Sequence, residues 1–217
     1  MFRLSGKSVL DTPYKAFGRM DPFSKLGFSA IAFAMADAGF SPISSYKDDS
    51  PAKQTVAAIA ESATGCLDTD FSYQATLSGD PPHIPSPALF AYTLPSCFLG
   101  EAAIYYGLAG EAYMIETIEN TGLTALSFAM DSLDTGNCKA AVCGICNLGP
   151  GTALDGTGPA PGALFLVLGK EPSPSVDRKG NSSLPLTITR QITNGDRFYL
   201  GENEVTELAK LIQKDIT

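Results

Sequence analysis

Two cysteines spaced as Cys143-Gly-Ile-Cys146, with Cys138 upstream, have the pattern of a redox pair or of half a zinc site. The surrounding run, Ala140-Ala-Val-Cys-Gly-Ile-Cys146, is small and apolar throughout and reads as a buried strand. Residues three apart on a strand point to opposite faces, so these two thiols would not grip one ion. A second cysteine pair is missing, and the single histidine, His83, falls in a proline-rich loop. Cys97, in Pro95-Ser-Cys-Phe-Leu-Gly100, precedes a helical run, where a thiol can become a nucleophile if a base is near. None is near in sequence, and Cys97 reads as a space-filling thiol. Five cysteines, an odd set in a chain large enough to fold without staples, read as reduced thiols. Among the carboxylates, Glu101, Glu111 and Glu116 read as solvated or loop-capping groups, because nothing fixes their separation as an acid–base pair. Glu119 stands just before a helical segment, where it can satisfy orphan amides.

Local signals give the elements that would carry these residues. Asp21-Pro-Phe-Ser predicts a helix with a capping carboxylate and proline at its first position, with Leu26, Ala30, Phe33, Ala34 and Met35 at helical spacing until Gly39. Residues 55–62 suit a buried strand or a helix by periodicity alone. A short helix is predicted over 68–77, capped by Asp68 or Thr69, followed by a loop from Ser78 to Pro87. A helix over 98–108, a strand over 112–117 and a helix over 120–133 come next. The last turns Leu123, Leu126, Phe128, Met130 and Leu133 largely inward and ends at Gly136. Residues 140–146 and 163–168 are apolar runs bounded by glycine, as in central strands covered on both faces by helices. Between them, 148–162 is a Gly-, Pro- and Thr-rich loop whose one charge is Asp155. A polar bridge over 171–183 leads to a half-exposed strand over 184–192, and Val205, Leu208, Leu211 and Ile212 predict an amphipathic helix over 202–216. This order argues for an α/β layered fold, read as a single domain over 1–217.

Composition narrows the function classes. A net charge of -8 and a pI near 4.6 leave no basic stripe for phosphates, which argues against nucleic acid and anionic membrane surfaces as partners. An acidic carrier protein would be repelled on average, although Lys15, Arg19, Lys25 and Lys139 offer local cations. No apolar run has the length of a membrane span or a signal peptide, which predicts a cytoplasmic protein. No metal or cofactor is expected.

Several segments, in order, resemble a β-ketoacyl synthase of the thiolase superfamily. They are Arg19-Met-Asp-Pro-Phe-Ser through Ala36-Asp-Ala-Gly39; Ser86-Pro-Ala-Leu-Phe-Ala-Tyr-Thr-Leu-Pro95 with Gly100-Glu-Ala-Ala-Ile104 and Gly107-Leu-Ala-Gly-Glu111; Ile115-Glu-Thr-Ile-Glu-Asn-Thr-Gly-Leu123; Asp134-Thr-Gly-Asn-Cys-Lys-Ala-Ala-Val-Cys-Gly144; and Pro161-Gly-Ala-Leu-Phe-Leu-Val-Leu168. With Leu67-Asp-Thr-Asp70, the similarity is to half-length ketosynthase-like proteins of aryl polyene, flexirubin and dialkylresorcinol pathways. The resemblance implies half of a thiolase-like fold, a layered mixed sheet covered by helices, and selects a strand for 55–62.

It also implies that the chemistry is missing. That family's elbow cysteine accepts the acyl chain, and matching Thr117 and Gly122-Leu123 places Glu119 on that position. The imidazole pair, or imidazole and amide, that activates the malonyl donor belongs to a C-terminal half not matched in this chain. In thiolase-fold dimers the strand before the elbow pairs with the partner's. The implied interface is therefore Ala112, Tyr113, Met114, Ile115, Glu116 and Thr117, with Asn120 and Thr121. The expected role is a catalytically silent, chain-length-factor-like subunit pairing with a full-length ketosynthase in polyene, fatty-acyl or polyketide biosynthesis. Two alternatives stand beside it: a decarboxylase or thioesterase acting on an acyl-carrier protein with Glu119, and a homodimeric acyl-carrier-binding module.

Overall fold

The computed structural model describes residues 4–43, 55–78, 84–148, 161–170, 175–176, 182–183, 187–192, 195–200 and 202–209. His83, Asp155 and most of the Gly- and Pro-rich loop lie outside the described residues. A one-turn helix α1 (Gly6–Val9) and a 3-10 turn (Lys15–Gly18) lead to α2 (Pro22–Asp37). Asp21 caps α2 as its sequence predicts: its carboxylate accepts from the amides of Phe23 at 3.2 Å and Ser24 at 3.0 Å. The buried face of α2 is broader than the expected stripe: Met35 is buried and Leu26, Ala30 and Ala34 pack partly buried against the same core as expected, but Phe23, Phe28 and Ile31 fill it as well, and Phe33 is exposed. Apolar residues line more than one side of this helix, so periodicity alone did not single out the face that packs.

Four strands form the main sheet in the order β2-β1-β3-β4, with β1 (Val56–Ser62), β2 (Ala112–Glu116), β3 (Ala140–Asn147) and β4 (Gly162–Gly169). β1 runs parallel to β2 and β3, and β4 pairs antiparallel to β3. The parallel pairs require crossovers. Between β1 and β2 lie α3 (Leu67–Leu77), the short α4 (Pro87–Phe90) and α5 (Cys97–Tyr106), and between β2 and β3 lies α6 (Leu123–Asp134). α3 begins at Leu67 with Cys66 in the capping place, one position earlier than predicted. The hydroxyl of Thr69 is used elsewhere, donating to Asp21 at 2.6 Å.

Side chains alternate across this sheet and build two cores. Ala58, Ala60, Val142, Cys146 and Phe165 pack with α2 and α5 on one face. Ala57, Ile59, Ala141 and Cys143 meet Ala125, Leu126, Ala129 and Leu133 of α6 on the other. The four-stranded sheet covered by helices on both faces is the mixed α/β architecture the sequence argued for.

The C-terminal part departs from expectation. Beyond a two-residue hairpin, β5 (Ser175–Val176) with β6 (Ser182–Ser183), comes an antiparallel meander of β7 (Ile188–Ile192), β8 (Asp196–Leu200) and β9 (Asn203–Val205). The predicted helix over 202–216 is therefore overturned for residues 202–209; 210–217 lie outside the described residues, as do 184–186 of the predicted strand. Phe198 pairs with Val205 in the ladder, and Phe198, Val205 and Leu208 are buried in the α6-side core. Helical spacing of Val205 and Leu208 thus serves a strand followed by a turn, because tertiary pairing outweighs a weak local preference.

Candidate functional site

In open α/β sheets, functional groups collect at the carboxyl ends of the parallel strands. Here β1, β2 and β3 converge on the turn Thr117–Gly122 that leads into α6. Glu61, fully buried on β1, lies on the same face as Ala57 and Ile59 by strand alternation, and so points at α6. Its carboxylate accepts from the amides of Thr124 at 3.1 Å and Ala125 at 3.3 Å, and from the hydroxyl of Thr117 at 2.7 Å. Glu61 is therefore the cap of α6. Glu119, read from sequence as that cap, is exposed, and α6 begins later than predicted, at Leu123.

The turn is held from several directions. Asn120 adopts φ 49°, a left-handed conformation uncommon outside glycine. Its amide donates to Thr117 Oγ1 at 3.2 Å, and its side-chain carbonyl accepts from Asn147 Nδ2 at 3.1 Å. Asn147 Oδ1 in turn accepts from the hydroxyl of Ser62 at 3.2 Å and the amide of Ala63 at 3.0 Å. Gly122 follows at φ 79°, and a Cβ there would meet Leu208 Cβ at 2.8 Å, so glycine serves both the backbone and the close approach of the meander. The sequence reading missed Glu61, Ser62 and Asn147. One signal was available: a carboxylate at the end of the apolar run Val56-Ala-Ala-Ile-Ala.

Between this turn and the meander lies an open cavity of about 370 Å³, lined by Glu119, Thr121, Thr124, Ser127, Phe128 and Asp196 among others. Arg190 pairs with Asp131 at 2.6 Å and Asp196 at 3.1 Å, and Ser127 donates to Asp196, which fixes the meander on α6. Phe128, read as inward, is exposed and stacks edge-on against Tyr113 of β2 with centroids 6.0 Å apart.

β2 is an edge strand among the described residues, paired only with β1. Tyr113 and Phe128 are exposed beside it, and Ile118, at the tip of the turn, is 100% exposed. A Cβ at Gly65 would lie 3.0 Å from Pro95 and 3.2 Å from Glu116, so the end of β2 adjoins the α4–α5 connection. There Phe90 and Leu94 are also exposed. Of the predicted interface residues, Ala112 to Glu116 form β2, and Thr117, Asn120 and Thr121 lie in the turn.

The remaining reactive groups are tied into packing. Cys143 and Cys146 lie in opposite cores, as strand geometry predicts. Burial raises all five thiols, Cys66 and Cys143 to about 12 and Cys97, Cys138 and Cys146 in the same direction. Cys97 donates to the Ala91 carbonyl at 3.2 Å. Such thiols hold their protons at neutral pH. Glu111 accepts from Ser132 at 2.6 Å and Asn137 at 3.1 Å, a loop-capping role, whereas Glu101 is held by the hydroxyls of Tyr14 and of Tyr92, the latter at 3.0 Å. Among the described residues no three His, Cys, Asp or Glu side chains gather as a metal site, and no helix is long and apolar enough to cross a membrane.

The β-ketoacyl synthase N-terminal domain matches residues 8–154. The chain belongs to that family. No curated protein matches it. Among solved structures, it is similar to a chain of the ishigamide ketosynthase/chain length factor, with TM-score 0.57, 16% identity, and 80% of this chain and 51% of that one covered. It is likewise similar to a chain of the ketosynthase ApeO in complex with its chain length factor ApeC from Xenorhabdus doucetiae, with TM-score 0.56, 15% identity, and coverage of 86% and 68%. A third is the AntDE:AntF assembly, a type II polyketide synthase acyl-carrier protein in complex with its ketosynthase bound to the hexaketide. There the TM-score is 0.53 at 18% identity, with coverage of 83% and 52%. At these identities the likeness is one of fold. The chain spans about half the length of the first and third of these relatives.

Proposed function

We propose that this ketosynthase-family chain is a non-catalytic subunit that pairs through the β2 edge with a full-length β-ketoacyl synthase, in the manner of a chain length factor. The observation that carries the reading is that, among the described residues, β2 has an open edge beside exposed Tyr113, Phe128 and Ile118. A strand with one open edge and apolar flanks is an aggregation hazard unless a partner covers it. The reading of silence rests on the motif match of Thr117 and Gly122-Leu123, which puts Glu119 at the family's acyl-accepting cysteine, and is supported by burial that raises the thiols. Two of the structural relatives are ketosynthase and chain length factor assemblies, which supports a partner of this class; a third contains an acyl-carrier protein, which supports a carrier as a transient visitor. The pathway we favour is polyene or polyketide assembly in the cytoplasm.

The test is co-expression with a full-length ketosynthase, followed by native mass measurement. A heterodimer is expected. Ile118→Asp and Tyr113→Asp should each weaken it by about 30-fold or more, the effect of losing a central apolar anchor. Unchanged affinity in both variants, or a homodimer that ignores the ketosynthase, would reject the pairing. Carbon dioxide released from malonyl-carrier protein by the purified chain, and lost in Glu119→Ala, would return the assignment to an enzyme.

A further inference from the structure

We propose that Glu61 is a built-in anion that neutralises the positive end of α6, so that this helix terminus gives no stabilisation to negative charge on a group displayed at position 119. An open helix N-terminus presents unpaired amides and a partial positive charge of about half an elementary unit, and it attracts anions. In this chain the place is taken from within. Glu61 is 0% exposed and accepts from Thr124 and Ala125 of the first turn of α6 at 3.1 and 3.3 Å. Its second oxygen takes the Thr117 hydroxyl at 2.7 Å, which ties the same carboxylate to the turn. A full negative charge set against half a positive one leaves the terminus without attraction for a further anion.

Glu119 is the side chain that would feel this. It shares a cavity with Leu123 and Thr124, the opening residues of α6. Among the described residues, the other charge facing that cavity is Asp196 of β8, which is paired with Arg190. Burying a carboxylate is costly unless it is fully bonded, so a buried carboxylate on β1 is an expensive way to fill space and an effective way to set a field. The inference concerns the chain alone and stands whether or not a ketosynthase partner is found.

The experiment uses the full chain with Glu119→Cys, alone and combined with Glu61→Gln. Alkylation by iodoacetamide is followed at the peptide containing position 119 by mass spectrometry from pH 6 to 10. Glutamine keeps the shape of the buried side chain, and its amide oxygen can still accept from the α6 amides. With Glu61 present, the introduced thiol should titrate at or above the ordinary value of about 8.5. With Glu61→Gln it should fall by about one unit, which gives roughly tenfold more thiolate at pH 7. An identical titration in both backgrounds overturns the proposal, and so does a thiol already below about 7.5 with Glu61 intact. Should the double variant not fold, the single variant still decides between those values.

Discussion

Alanine at Gly144 should leave the chain unable to fold at 37 °C, with a loss of more than about 3 kcal/mol of stability. A Cβ at that position would lie 2.0 Å from the carbonyl oxygen of Leu164 and 2.7 Å from Phe165 Cα. Both are backbone atoms, so no rotamer change relieves the clash, and β3 and β4 must part. Gly144 pairs with Phe165 across the ladder, and the phenyl ring lies over the glycine and edge-on to Phe98 at 6.1 Å. Separation therefore breaks a strand pairing and an aromatic contact in the larger core together. Gly100→Ala is the matched control. It sits on an exposed face of α5, where an added methyl group would meet nothing within 4 Å, and should stabilise the chain by roughly 0.5–1 kcal/mol through helix propensity. Urea unfolding of the two variants checks both signs, and a folded Gly144→Ala within about 1 kcal/mol of the parent would refute the close-approach argument.

Stability should also fall steeply as the solution is made alkaline. Cys66 and Cys143 are raised from the ordinary 9.0 to about 12, and Cys146 is pushed in the same direction. The cause is burial, helped at Cys66 by the Asp70 carboxylate and at Cys146 by Asp21. The folded chain thus holds protons that the unfolded chain releases. A raised value means that the contribution is complete below the unfolded thiol pKa and is lost as pH climbs towards the folded one. Each thiol then removes up to about 1.4 kcal/mol per pH unit, so three of them give about 4 kcal/mol between pH 8 and 10. That is a large fraction of the 5–15 kcal/mol typical of a folded domain. Chemical denaturation at pH 7.5, 9 and 10 measures the slope, and Cys143→Ala should reduce it by about a fifth to a third, since Cys97 and Cys138 are raised as well. A flat profile over this range would contradict the burial of these thiols.

The close approach at Gly144 and the burial of the two thiols also account for a Cys143-Gly-Ile-Cys146 spacing that does not make a redox or metal pair. Its glycine is required by the neighbouring strand, and its two thiols face different cores. Strand parity made the second point legible in the sequence. The first needed the register between β3 and β4, because only that pairing brings the Leu164 carbonyl beneath residue 144.

The sequence by itself determined the elements whose signals are local. Asp21-Pro22 starts α2, and the apolar run of β3 is buried on both faces, whereas β1 needed the family resemblance to be told from a helix, and β4, read from the same pattern as β3, is an edge strand among the described residues with only Phe165 buried. The ordered motifs carry the family. Tertiary structure alone decided which carboxylate caps α6, which side of α2 packs, and that residues 203–205 join a sheet. The physical reason is common to all three. Glu61 reaches amides more than sixty residues along the chain, α2 is apolar on more than one side, and Val205 finds Phe198 across a ladder. Such choices are made by partners distant in sequence, whose burial and hydrogen bonds outweigh the few tenths of a kcal/mol that local preference provides.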